Sequence, residues 1–293
     1  MRPPSFFLFP LLLLGLFASL RAAPERNFIP PGAAEVVARL PPPPADDTFA
    51  GQADLETLIQ VQADRTPAQV ARAQRVAQQT AFLMGASVFG PWFTPEALPR
   101  TAAIFEEIQR QSHPLLEDAK RRWNRPRPYV RDTRIHPCVE LSASTSYPSG
   151  HSASSAIWAT IFSVAFPERR PAFEAQVHET MWGRVLGGVH FPSDTQAGRE
   201  LGEAIGRQML TTDTMTQAIS EIRAEVSAYL EQQTQKQAQQ RGSPRHSELW
   251  SATLLPQSSM AVTAAHRSLE NGQSNPFAFS TVVGTKRSAS KRW

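Results

Sequence analysis

Cysteine is almost missing from this chain: Cys138 is the only one in 293 residues. A single thiol excludes an internal disulfide framework and any cysteine-based zinc cluster. Alternating β patterns are nearly absent as well. Charge is sparse, 19% of residues against 41% hydrophobic, which excludes a wholly disordered chain. The apolar content suffices for the core of one large domain or two small ones. Long apolar runs are few. Residues 6–20 are almost entirely apolar, but this stretch falls short of the ~20 residues that cross a bilayer. The run 153–166 is shorter still.

The net charge of +4 is unevenly placed. Arg2 and Arg21 lie in residues 1–22 without an acid, and residues 234–293 hold eight Lys and Arg against Glu248 and Glu270. Residues 23–233 are therefore mildly acidic, which argues against nucleic acid as a partner. The N-terminus has the order of a secretory signal: Arg2, the apolar run, then small Ala22 and Ala23. Residues 1–22 are expected to be cleaved after Ala22, leaving a periplasmic or secreted product without stable membrane insertion. Residues 23–44, with Pro24, Pro30, Pro31 and Pro41 to Pro44, read as an extended leader over the domain surface. From residue 234 the composition turns to Gln, Ser and Arg, and 234–293 is expected to be a disordered basic tail.

Between these ends the pattern is helical, so residues 45–233 are expected to form one all-α domain. Thr66-Pro67 is an N-cap with proline at the first helical position, and an Ala-rich run continues to Met84. Ile104, Ile108 and Leu115 mark a core-facing stripe that Pro114 interrupts. Residues 150–166 are apolar on nearly every face, as in a central buried helix. Gly198, Gly202 and Gly206 recur at steps of four, letting a neighbouring helix come close. Met215, Ile219, Ile222, Val226 and Leu230 form a last stripe.

Three clusters carry the chemistry. Lys120 precedes Arg127-Pro128 by seven residues, and Pro126 and Pro128 must end the helix that holds it. A lysine point charge beside a fixed guanidinium fork suits a phosphoryl group, although a basic helix end also suits the helix dipole. Next, the run 147–151 ends in Ser149, Gly150 and His151, directly before the buried helix. A helix N-terminus is a ready anion site, Gly150 admits close backbone approach, and His151 can titrate beside the anion. A plain serine cap with an incidental histidine would look the same. In the third cluster Arg184, His190 and Asp194 straddle a Gly187-Gly188 break. Asp194, in the first turn of the next helix, can reach back to one imidazole nitrogen and leave the other as a nucleophile, or the two can simply join the helices.

Taken in order, K-x6-R-P, P-S-G-H and R-x5-H-x3-D over residues 120–194 resemble the signature of the type 2 phosphatidic acid phosphatase superfamily. The signal, the proline leader and the helical layout make the chain most similar to secreted class A bacterial non-specific acid phosphatases. Gly183 departs from that pattern, where a serine usually precedes the arginine. The resemblance implies a single helical bundle of the acid phosphatase and vanadium haloperoxidase type. It also implies metal-independent hydrolysis of small phosphomonoesters, with no cofactor and with transfer to acceptor alcohols left open. Lys120, Arg127, Ser149, Gly150 and Arg184 would hold phosphate, and His190 would attack phosphorus to give a phosphohistidine. Asp194 would orient His190, and His151 would serve as acid and then base. A vanadate-dependent haloperoxidase and a non-enzymatic phosphate-binding protein are the alternatives. The helical surface leaves room for a homo-oligomer.

Overall fold

A computed structural model describes residues 26–242, and every regular element among them is helical. The helices are α1 (Ala34–Ala38), α2 (Phe49–Ala63), α3 (Pro67–Ala77), α4 (Ala81–Phe89) and α5 (Pro99–Trp123). There follow α6 (Pro128–Arg131), α7 (Gly150–Ala165), α8 (Arg170–Leu186), α9 (Pro192–Met209) and α10 (Asp213–Gly242), with a 3₁₀ turn at Pro167–Arg169. The expected signal at 1–22 and the tail from 243 onward lie outside the described residues.

Local chemistry sets the helix starts. The hydroxyls of Thr48, Thr66, Thr80 and Ser149 accept a backbone N–H in the first turn of α2, α3, α4 and α7, relieving donors that have no partner within the helix. Thr66 completes a capping box with Gln69. The cap at Thr80 also corrects the expected continuous run to Met84: α3 ends at Ala77, and Thr80 opens a separate α4.

Helix α7 is buried on nearly every face and packs chiefly against α8 and α9. The glycine stripe of α9 makes this contact. A Cβ on Gly198 or Gly202 would overlap the carbonyl of Ser149 or Ala153, and one on Gly206 would lie 3.0 Å from Thr160. Bare backbone is therefore what lets α9 sit on α7. Around Phe162 of α7 the rings of Phe93, Phe105 and Phe173 pack with centroids 4.5–5.8 Å apart.

Three further expectations shift. Helix α5 runs unbroken through Pro114, and its buried face continues from Ile108 through Ser112 to Leu116, not Leu115. A serine in that stripe hid the register from a hydrophobic reading. Residues 26–44 are not merely draped over the surface, because Phe28, Val37 and Leu40 are buried in the main core and α1 is helical. Finally, α10 extends to Gly242, so a boundary at 233 falls inside a helix; its stripe is buried through Val226, while Leu230 is 44% exposed.

Candidate active site

The three charged clusters meet at one cavity of about 650 Å³, lined by Lys120, Arg127, Gly150, His151, Arg184 and His190 together with Glu106, His113, Glu117 and a mixture of apolar and neutral polar side chains. Lys120 comes from the last turn of α5, and its side-chain carbon lies 3.8 Å from where a Cβ of Gly150 would stand. Its Nζ donates to the Thr145 carbonyl at 2.7 Å. Arg127 follows on the extended segment between Pro126 and Pro128, as the two prolines require. It donates to the carbonyls of Ser144 and Val189, each at 2.8 Å, and to the Ser144 hydroxyl at 3.1 Å. Arg184 lies in the last turn of α8, 4% exposed, and its Nε and Nη1 have no partner among the described residues.

His190 sits in the turn after α8. Gly188 makes that turn with φ of +73°, a conformation that side-chain-bearing residues rarely adopt. Arg127 Nη1 donates to His190 Nε2 at 2.8 Å; a guanidinium can only donate, so Nε2 accepts and the ring proton rests on Nδ1. Nδ1 faces Asp194 Oδ2 at 3.4 Å. The carboxylate is fully buried and directs its hydrogen bonds elsewhere. It accepts from Arg125 Nη1 at 2.6 Å, from the Phe191 N–H at 2.9 Å and from the Ser146 hydroxyl. The expected contact between Asp194 and His190 is therefore present as a close approach rather than an aligned hydrogen bond.

His151 stands on the first turn of α7, and its Nε2 donates to the Ala77 carbonyl at 3.2 Å, which leaves Nδ1 to exchange a proton. Ser149 is the one expected ligand that the fold turns away. Fully buried, its hydroxyl accepts from the Ser152 N–H and hydroxyl, and it is not among the residues lining the cavity.

Burial and mutual repulsion set the protonation states. Lys120 is pushed down to about 8, first by burial and then by Arg127. Arg184 falls to about 10 for the same reasons in the same order. His151 is pushed down to about 4 by burial and then by Arg184, and His190 lies well below its ordinary value by burial and then Arg127. Both imidazoles are thus neutral in the anion-free site at mildly acidic pH. Burial raises Asp194, and Arg125 opposes it.

Gly183, the departure noted in the sequence, has a packing reason. A Cβ there would lie 2.7 Å from the Val76 side chain, so a serine would push α3 from α8.

Sequence reasoning missed Arg125 and Asp54. Arg125, 5% exposed, donates to Asp194 and to the Ser193 hydroxyl from Nη1, and to Asp54 Oδ2 at 3.0 Å from Nη2. Its position between Asn124 and Pro126, on the same stiff segment as Arg127, was the available signal. Nothing local marked Asp54, whose partners are 71 and 139 residues away.

The described residues form an all-helical fold around a buried pocket that brings His151, His190 and three cationic side chains together. Residues 103–216 match the family model of the PAP2 superfamily. It is 27% identical over 192 residues to a non-specific acid phosphatase of Salmonella typhi, covering 63% of this chain and 77% of that one. An acid phosphatase of Zymomonas mobilis is 33% identical over 108 residues, 34% of this chain and 40% of that one. Among solved structures, a bacterial vanadium-dependent iodoperoxidase aligns with a TM-score of 0.48 and 18% identity, over 61% of this chain and 53% of that one. No helix among the described residues is long and apolar enough to cross a membrane.

Proposed function

We propose that the chain is an exported acid phosphatase that hydrolyses phosphomonoesters without a metal, through a phosphohistidine on His190. The observation that carries this reading is a charge imbalance. Lys120, Arg127 and Arg184 are all at most 5% exposed around one cavity, whereas its lining carboxylates are the half-buried Glu117 and the exposed Glu106, and the buried Asp194 is already ion-paired to Arg125. Buried cations that outnumber their buried counter-charges are costly, and two N–H groups of Arg184 have no partner among the described residues. A phosphate dianion supplies both the missing charge and the missing acceptors. The acid phosphatase relatives support the reaction class.

In the first step Arg127 transfers its N–H from His190 Nε2 to a phosphate oxygen, freeing the nitrogen lone pair. Nε2 then forms the bond to phosphorus as the ester P–O bond breaks. The leaving oxygen takes a proton from Nδ1 of His151, which the bound dianion has made cationic. The ring of His190 becomes positive, with its Nδ1–H toward the Asp194 carboxylate. In the second step His151, now neutral, takes a proton from water as the water oxygen attacks phosphorus and the P–N bond breaks. The three cations and the N–H groups opening α7 meet the charge spread over the equatorial oxygens. The folded unit from residue 26 to 242 would hold this machinery, with residues 1–22 directing export.

The test is covalent capture. A phosphate-labelled aryl ester, quenched in alkaline denaturant where N-phosphohistidine survives, should leave label on the wild-type protein and none on His190→Ala. Turnover in His190→Ala should fall on the order of 10⁴-fold or more, as when an enzyme loses its nucleophile, with inorganic phosphate still bound. Full turnover by that variant, or a rate abolished by a metal chelator, overturns the proposal.

A further inference from the structure

We infer that Arg125 is a positioning residue: anchored from behind by Asp54, it holds the Asp194 carboxylate charged and in place 3.4 Å from Nδ1 of His190. The inference rests on the phosphohistidine reading above and adds to it a residue outside the charged signature.

The geometry is that of a clamp between three parts of the fold. Arg125 leaves the segment after α5 and lies with its guanidinium 4.1 Å over the ring of Phe191, which fixes its plane. One edge meets α9: Nη1 donates to Asp194 Oδ1 at 2.6 Å and to the Ser193 hydroxyl at 2.8 Å. The other meets α2, where Nη2 donates to Asp54 Oδ2 at 3.0 Å. Asp54 in turn accepts the Ser193 N–H at 3.0 Å and the Ser193 hydroxyl. Arginine, both carboxylates and the serine backbone donor thus form one closed figure, with both side-chain acids at most 6% exposed.

Its consequence falls on Asp194. The fixed donors on Oδ2 are the Phe191 N–H and the Ser146 hydroxyl, both neutral. Arg125 is the cation in contact with this carboxylate. Lys120 and Arg127 act on it from farther away, Tyr147 is neutral, His190 is neutral before reaction, and Asp54 lies beyond Arg125. Burial drives Asp194 toward its neutral acid and Arg125 opposes this most strongly. A protonated Asp194 would give little support to the positive ring formed when Nε2 takes phosphorus. With the clamp in place, the carboxylate keeps its charge and one orientation through the cycle.

The experiment compares wild type with Arg125→Met, Arg125→Lys, Asp194→Asn and the double variant Arg125→Met/Asp194→Asn, each checked for a native melting transition. Arg125→Met should lose on the order of 10²-fold in kcat, with inhibition by inorganic phosphate changed less than about threefold. Its acid limb should move up by about one pH unit, because a carboxylate without its cation ionises only at higher pH. Arg125→Lys should recover part of the rate, and the double variant should be no slower than Asp194→Asn alone. Should Arg125→Met fail to fold, Asp54→Asn, which loosens the clamp and keeps its shape, should show the same acid-limb shift in smaller measure. An unshifted pH profile, equal loss of kcat and phosphate affinity, or additive losses in the double variant would each overturn the inference. Should the wild type hydrolyse no phosphomonoester, the function fails separately. Difference infrared spectra then judge the clamp: a protonated-carboxyl band in Arg125→Met, absent from wild type and from the double variant, supports it, and its absence sinks it.

Discussion

The cavity is lined by two kinds of material. Lys120, Arg127, Arg184 and His190 are packed out of water beside the start of α7. Along the rest of its lining, Phe82 of α4, Phe105 and Leu116 of α5, and Trp158 of α7 supply apolar surface, with Glu106, Gln109 and His113 of α5 interspersed. One face of α5 serves both: Ala102 and Lys120 line the same cavity, eighteen residues and so roughly 27 Å apart along the helix. The apolar lining gains free energy from burial, whereas the charged part is bought at the expense of stability. A fold that keeps such a cost at one place has a use for the charge there. On the proposed phosphatase reading, this apolar lining would govern which alcohols fit.

The sharpest way to break this division is at His151. His151→Ala should slow hydrolysis of alkyl phosphates about 10²–10⁴-fold, the span of general acid catalysis. Aryl esters with good leaving groups should lose far less. Steady-state rates over a leaving-group series decide it, and an equal loss along the whole series would remove His151 as the acid. The apolar lining is probed by Phe82→Ala, at a half-buried side chain. It should lower kcat/KM for bulky apolar monoesters by roughly tenfold while glycerol phosphate changes less than about twofold, since one lost apolar contact alters discrimination by ~1–3 kcal/mol. Parallel losses on both substrates would mean that Phe82 shapes the charged part instead.

The smallest effect concerns protons. His151 at about 4 and His190 lower still mean that the unfolded chain, with ordinary imidazoles near 6.5, binds more protons below that pH. Stability of the anion-free protein should therefore fall as the pH drops from 6.5 toward 4. Sulfate, a dianion that does not titrate in this range, should restore the proton to His151 and so bind more tightly as the solution becomes acid. At a concentration near one hundred times its Kd, sulfate should raise Tm by roughly 5–10 °C, and by more at pH 5 than at pH 7.5. Calorimetry at the two pH values is the check. Stabilisation that is equal at both, or greater at pH 7.5, would show that the histidines take no part in holding the anion.

What the sequence determined by itself is what depends on near neighbours. The caps at Thr66 and Ser149, the prolines that stop α5 and stiffen the segment holding Arg127, the glycine turn before His190 and the four-residue glycine stripe of α9 act within a few residues, so their meaning survives in one dimension. The order of the charged clusters was legible for the same reason, because each is fixed to the end of a helix. Tertiary structure alone decided the rest. Ser149 was turned from the cavity to cap its own helix. Gly183 became the place where Val76 of α3 rests against α8. Arg125 was joined to Asp194 and Asp54 across 69 and 71 residues, and the apolar lining was assembled from α4, α5 and α7. These contacts depend on where whole helices come to lie. Helix placement is settled by burial summed over many side chains, a quantity that no local spacing of residues contains.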